Sequence, residues 1–208
     1  MKKAVFIIVV LAFILLPVII TEAAEIHEAA KNGDIAKLNE LLQKDSSLLY
    51  VKDEMGKTPL HWATGRSQPE AMKLLLDTYK VDVNVRNDNQ GTPLHVAASQ
   101  ANPEGVKILL AHGADINART KDDATPLHFA AFKVKPGHLE ALKILIENGA
   151  DVNVKMKNGA TPLSLAQMMG NTEAAKILRQ HGATAGIMGG RTGMFQRRRP
   201  MSMSMPQE

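Results

Sequence analysis

The stretch Thr92–Ala98, which reads Thr-Pro-Leu-His-Val-Ala-Ala, decides the fold because its first four residues recur along the chain. Thr-Pro-Leu-His also stands at Thr58–His61 and Thr125–His128, and a variant ending in serine stands at Thr161–Ser164. The successive threonines are 34, 33 and 36 residues apart, a spacing typical of a repeated structural unit. The chain is therefore predicted to be a stack of similar units.

Two further markers keep the same phase. Asp-Val-Asn or Asp-Ile-Asn occurs at Asp82–Asn84, Asp115–Asn117 and Asp151–Asn153, and a pair of bulky apolar residues, such as Leu109-Leu110, precedes each. Threonine before proline is a helix start, since its oxygen caps free N–H groups and proline fits the first helical position. Each unit is predicted to hold a first helix, a polar break, a second helix and a short extended arm.

The three markers resemble the ankyrin repeat, and the resemblance runs from about Glu25 to Thr184. It implies an all-α solenoid of about five helix-turn-helix units with short β-turn arms. The first unit, Ile26–Asp34, lacks Thr-Pro but keeps the helix, Asn-Gly, helix order. We therefore predict three parts of the chain: a signal peptide at 1-23, an ankyrin-repeat domain at 24-184 and a disordered, basic, Met-rich tail at 185-208.

Three departures from the regular unit are visible. Tyr79-Lys80-Val81 adds one residue and replaces a glycine at the end of a helix, and Asp123 stands where a turn glycine is expected. Three extra residues lie between His128 and Leu145 and are predicted to form a longer loop at 132–136. Because inserted length commonly maps to the binding side of a solenoid, this loop is a candidate contact region.

The family resemblance implies that partners bind on a concave face made of turn tips and first helices. Transferred unit by unit, the contact positions are Glu54, Met55, Lys57, Gly65, Arg66, Asp88, Asn89, Gly91, Ser99, Gln100, Lys121, Asp122, Ala124, Phe132, Lys133, Lys157, Asn158, Ala160, Met168 and Met169. The set mixes charges with Met and Phe side chains, a composition suited to protein recognition. We expect the partner to be another protein and the chain itself to be a monomer.

Catalytic and metal-binding functions are not expected. The chain has no Gly-rich phosphate loop with its lysine, no Gly-x-Ser-x-Gly and no His-Glu-x-x-His. His61, His95 and His128 stand one unit apart, at about 8–10 Å, too far to share a metal ion. They are predicted to form hydrogen bonds within the scaffold, and no cofactor is expected.

The two ends carry the information on location. Met1-Lys2-Lys3, the apolar run from Ala4 to Ile20 and the small residues around Ala23 predict a cleaved secretory signal. An uncleaved membrane anchor is the alternative, because about 17 residues is the lower edge of a membrane span. In the tail, Met201, Met203 and Met205 alternate, so a Cu(I)-responsive protein is a further alternative.

The basic pI is no argument that the repeats bind nucleic acid, and no nucleic acid is expected as a partner. The whole chain has 25 basic and 21 acidic residues, whereas residues 24–184 contain 19 of each, so the basic excess belongs to the ends. The sequence therefore predicts a non-enzymatic, protein-binding scaffold or regulator in the periplasm or extracellular space. If residues 1–23 are not cleaved, the alternative hypothesis is an adaptor tethered to the membrane.

Overall fold

The computed structural model describes residues 22–186, which form five antiparallel helix pairs stacked side by side. The pairs are residues 22–32 (α1) with Ile35–Lys44 (α2), Pro59–Gly65 (α3) with Pro69–Lys73 (α4), Pro93–Ser99 (α5) with Pro103–Ala111 (α6), Pro126–Phe132 (α7) with Pro136–Glu147 (α8), and Pro162–Met168 (α9) with Thr172–Gln180 (α10). A 3₁₀ turn, Ser46–Tyr50, follows α2. No strand occurs within these residues, so the predicted all-α solenoid is confirmed.

The first helices form one layer and the second helices another. Helix α5 packs against both α3 and α7, and α7 packs in turn against α9. The leucine of each Thr-Pro-Leu-His motif, such as Leu94, is fully buried, and so are small residues such as Ala97 on the same helix. Small side chains let neighbouring helices approach closely, so the leucines fill a continuous core.

The histidine of each motif joins its unit to the next one. The backbone N–H of Thr92 donates to Nδ1 of His95 at 3.1 Å, and His95 Nε2 donates to the carbonyl oxygen of Ala124 at 3.0 Å. The same two bonds occur at His61 and His128, whose Nε2 atoms reach Gly91 O and Ala160 O. The predicted scaffold role of these histidines is what the structure shows.

A second set of side chains points back to the preceding unit. Asn102 Nδ2 donates to Thr64 O at 2.9 Å, and Asn171 Nδ2 donates to Lys133 O at 2.9 Å. Gln68 and His138 occupy the same place and donate to Lys31 O and Ser99 O. Carbonyls at the ends of α1, α3, α5 and α7, which lack helical partners, are thus satisfied by the next unit.

The extra residue of the second unit is absorbed inside a helix. Helix α4 continues as a π turn, Leu74–Thr78, which accommodates one residue more than regular α-helical winding does. Lys80 then adopts φ of 52°, the left-handed conformation that Gly113 and Gly149 adopt in the following units. Asp123 likewise takes φ of 60° in place of the expected turn glycine.

The predicted long loop of the fourth unit is wrong. The connection between α7 and α8 is as short as that between α5 and α6, whereas α8 has 12 residues against 9 in α6. Pro136 stands at the first helical position and starts the helix early, so the three extra residues lengthen α8 at its N-terminus. The insertion therefore adds a helical turn, not a flexible contact loop.

The predicted ends lie mostly outside the described residues. The leader up to Thr21, the alternating methionines and the rest of the tail from residue 187 are among the residues not described. Within residues 22–186, no helix combines the length and the apolar character that crossing a membrane requires. Glu22 and Ala23 are already helical, and Glu22 forms a surface ion pair with Lys44.

Candidate protein-binding face

The predicted turn-tip residues form a row in which adjacent units are linked backbone to backbone. Asp88 N donates to Met55 O at 3.4 Å, Lys121 N donates to Asn89 O at 2.9 Å, and Lys157 N donates to Asp122 O at 3.1 Å. Each bond joins one sequence-predicted contact residue to another in the neighbouring unit. The structure thus brings the four tips into one continuous ladder.

Most side chains of the predicted contact set are open to solvent. The exposed members are Glu54, Met55, Arg66, Asp88, Asn89, Gln100, Lys121, Asp122, Phe132, Lys157, Asn158, Met168 and Met169, whereas Lys57, Gly65, Ser99 and Lys133 are half-buried. The remaining three members of the set, Gly91, Ala124 and Ala160, are buried and offer their carbonyls to histidines. These three residues cannot contact a partner, because they are buried between adjacent units.

The shape of the tips is fixed by side chains just before them. Asp53 Oδ1 accepts from the N–H groups of Met55 and Lys57, and Asn87 Oδ1 accepts from those of Asn89 and Gly91. Such bonds hold a turn without using the side chains at its tip. The side chains of Glu54, Met55 and Asn89 therefore remain available for contacts.

The two predicted contact residues at the end of α7 differ in their surroundings. Phe132 keeps 37% of its surface exposed, beside Val134 at 63%. Lys133 Nζ instead donates to Ser99 O at 2.9 Å and so caps the last turn of α5 in the preceding unit. Phe132 is open to a partner, and the Lys133 ammonium already has an internal acceptor.

One cluster on this face joins Lys57 and Arg66 of the predicted contact set to Trp62 and Lys31, which that set lacks. Lys31 Nζ lies 4.2 Å and Lys57 Nζ lies 4.4 Å from the centre of the Trp62 ring, with the Arg66 guanidinium at 6.0 Å. The Trp62 indole N–H donates to Asp53 Oδ2 at 2.9 Å, which fixes the ring. Trp62 is the only tryptophan of the chain and occupies the repeat position that Val96 and Phe129 hold in the following units. A tryptophan at this position was therefore the feature of the sequence that could have indicated the cluster.

The three buried motif histidines are neutral groups of the scaffold. Burial lowers the pKa of His61, His95 and His128 to about 4, so these rings are neutral and serve as hydrogen-bond bridges. Their Nδ1 atoms accept from backbone N–H groups and cannot be protonated without breaking that bond. Among residues 22–186, no three His, Asp or Glu side chains come close enough together to hold a metal ion.

Comparison with known proteins gives the same units. A family model of ankyrin repeats (three copies) matches residues 26–120 and again residues 118–189. Human DNA-binding protein RFXANK is 36% identical over 56 residues, which are 27% of this chain and 22% of that protein. The 26S proteasome non-ATPase regulatory subunit 10 of Dictyostelium discoideum is 32% identical over 68 residues, 33% of this chain and 29% of that protein.

A third relative is similar in degree and very different in size. A transient receptor potential cation channel subfamily A member 1 homolog of Caenorhabditis elegans is 36% identical over 69 residues, which are 33% of this chain and 6% of that protein. The matched part is thus less than a third of the length of each of these relatives. Ankyrin repeats are generally scaffolds for protein–protein interaction, and the family is typically non-enzymatic. With its family match covering most of the sequence, the chain belongs to the ankyrin-repeat family.

Proposed function

We propose that this protein is a non-enzymatic scaffold or regulator that binds another protein through its row of turn tips and the adjoining first helices. The ladder of backbone bonds between neighbouring tips carries the proposal. Backbone hydrogen bonds hold neighbouring tips together, so the exposed side chains of the tips are not needed for stacking and can contact a partner. A surface that mixes charges with Met and Phe side chains suits a protein partner.

The residues that stack the units and the residues at the turn tips are different, which supports this assignment. Stacking between units uses buried side chains such as Leu94, His95 and Asn102, whereas Asp88, Asn89 and Lys121 at the tips are exposed. Their backbone positions are nevertheless fixed by hydrogen bonds within and between units. A pre-ordered surface loses little conformational entropy on binding, which favours affinity.

A photo-crosslinking amino acid tests the face directly. Placed at Asn89 on a turn tip, it should give a discrete protein adduct in an extract of the native host. The matched control places the same residue at Lys107, an exposed position on second helix α6. Equal adducts from both positions, or adducts from Lys107 alone, would contradict binding at the tips.

The place of action follows from the leader prediction for residues 1–23. We propose export to the periplasm or the extracellular space, with the chain acting there as a monomer. The mature protein should begin near Ala24 by mass spectrometry and appear in an osmotic-shock fraction. Intact Met1 in washed membranes would instead indicate an adaptor tethered at the bilayer surface.

A further inference from the structure

The two halves of the proposed binding face differ in chemistry. In the first half, Lys57, Trp62, Gly65, Arg66 and Gln100 line a recess of about 200 Å³. Within residues 22–186, neither the Lys57 ammonium nor the Arg66 guanidinium forms an ion pair, and the remaining cation, Lys31, is paired with Glu28. This recess therefore offers two uncompensated cations beside an aromatic ring.

One carboxylate, that of Asp53, lies beside the recess without forming an ion pair with Lys57 or Arg66. Asp53 is already bonded to the indole N–H of Trp62 and to the backbone N–H groups of Met55 and Lys57. Partial burial opposes the effect, but these three hydrogen bonds together lower the pKa of Asp53. The Asp53 carboxylate stays ionised and holds the ring and the turn, and the cations of Lys57 and Arg66 have no ion-pair partner within residues 22–186.

The second half of the face carries a group of exposed apolar side chains at the ends of its first helices. Phe132 and Met168 occupy one slot of adjacent units, each the last residue of a first helix, and are 37% and 56% exposed. Val134 and Met169 follow them and are 63% and 41% exposed. The slots that hold Phe132 and Met168 in this half hold Gly65 and Ser99 in the first half. Four exposed apolar side chains thus cluster in the last two units, whereas the turn tips of the first half carry Met55 alone, at 52% exposed.

We propose that the face binds one extended segment of a partner protein that carries an acidic residue at one end and an apolar residue further along. The carboxylate pairs with Lys57 and Arg66 in the recess beside Trp62, and the apolar side chain packs on Phe132 and Met168. Charge complementarity identifies the first contact, and the exposed apolar surface identifies the second. This inference rests on the proposed protein-binding function and adds the chemistry of the partner.

The spacing of the two contacts follows from the stacking. Trp62 lies on α3 and Phe132 on α7, which are two steps apart in the layer of first helices. At about 8–10 Å per step, the separation is about 16–20 Å. An extended chain rises about 3.3 Å per residue, so the acidic and apolar residues should stand about five or six positions apart.

Selection from a library of random displayed peptides, about 12 residues long, tests this chemistry on the full chain. We expect the enriched peptides to share Asp or Glu and, about five or six positions away, Leu, Ile, Phe or Met. Binding should change the fluorescence of Trp62, the only tryptophan, and should weaken as the salt concentration rises. Replacing the acidic residue of an enriched peptide by its amide should weaken binding at least about tenfold.

Protein variants separate the two halves of the face. Arg66→Gln should weaken binding of the enriched peptide about tenfold, whereas Arg179→Gln, which removes an exposed arginine from α10, should change it less than about twofold. Phe132→Ser should weaken binding by a similar factor. Met168→Ser, at a more exposed position, serves as the second apolar variant if Phe132→Ser lowers stability in urea unfolding.

The outcomes distinguish this inference from the function on which it rests. Enriched peptides that lack acidic residues, or that bind Arg66→Gln as tightly as the unchanged protein, would overturn the inference. If such peptides still protect the Asn89 crosslinking position, the protein-binding function stands. A failure to enrich any peptide that binds this face would overturn the inference alone, because the Asn89 crosslinking experiment decides the protein-binding function independently.

Discussion

At the scale of single residues, the three motif histidines couple the stacking of units to pH. Each ring is neutral, with Nδ1 accepting from a threonine N–H and Nε2 donating to a carbonyl of the next unit. Burial holds their pKa near 4 in the folded state, below the ordinary value of 6.5. Between those two pH values the unfolded chain binds more protons than the folded chain, so stability falls as pH falls.

The histidines should therefore make the fold sensitive to mild acid. From pH 7.5 to pH 5, each of the three should lose about 2 kcal/mol of stabilisation, measured as the free energy of unfolding in urea. His128→Ser should remove about a third of this loss, because a serine side chain does not bind a proton in this pH range. Ser164 shows that a serine in that position can also accept the threonine N–H. His181→Ser, beyond the end of α10, is the control.

An unchanged pH dependence in His128→Ser would contradict the assignment of the loss to these rings.

His112 acts in the opposite direction, since a hydrogen bond from its Nε2 to Asp77 at 2.8 Å raises its pKa. Its contribution is present at low pH and is lost as pH rises through the raised value. Both side chains are partly exposed, so solvent screening keeps that contribution small.

At the scale of helices, sequence and structure agree where a residue type has one role and differ where length can be absorbed in several ways. The Thr-Pro helix starts, the apolar second helices and the left-handed glycines were predictable, since each follows from local chemistry. The π turn at Leu74–Thr78 and the longer α8 were not. An extra residue can enter a helix or a loop, and tertiary packing makes the choice.

Helix α8 depends on a close approach at its first turn. A Cβ atom at Gly137 would lie 2.6 Å from the carbonyl oxygen of Ala101 in the preceding unit, a distance that requires the backbone to shift. Gly137→Ala should therefore lower the free energy of unfolding by about 1–3 kcal/mol. Lys135→Ala, at an exposed position just before α8, should leave it nearly unchanged. Equal stability of the two variants would show that the turn moves without cost.

The binding face shows a similar limit of prediction. The turn tips were predictable because the tips share one phase of the repeat, and the ladder between Met55 and Asp88 joins residues predicted separately. The cluster around Trp62 was not, because Lys31 comes from the first unit, where the Thr-Pro marker is missing. The internal acceptor of Lys133 also depends on the position of Ser99, which only the stacked structure gives.

At the scale of the whole molecule, stability is distributed along a line, because each unit contacts only its neighbours. The last helix within residues 22–186, α10, buries Ala174, Ala175, Ile177 and Leu178 and presents its other residues to solvent. It therefore closes the apolar core of the fourth unit with a polar outer surface. A stack without this helix would expose the apolar side of α8 to water.

Truncation should reveal this closing role. A chain ending at Gly186 keeps all the contacts described above and should melt within about 2 °C of the full chain. A chain ending at Asn158 loses α9 and α10 and should melt at least about 5 °C lower. Circular dichroism during heating measures both. A large loss of stability on removing residues 187–208 alone would mean that this segment docks on the stack, contrary to the sequence-based prediction.

The bridges between units also bear on how such a chain can change length over generations. The bond from His61 to Gly91 is repeated from His95 to Ala124, and that from Asn102 to Thr64 has counterparts at His138 and Asn171. A duplicated copy of residues 92–124 would therefore meet a matching acceptor on one side and a matching donor on the other. Gene duplication in steps of one unit can lengthen the protein without redesigning any junction, and each added unit supplies one more tip with its own side chains.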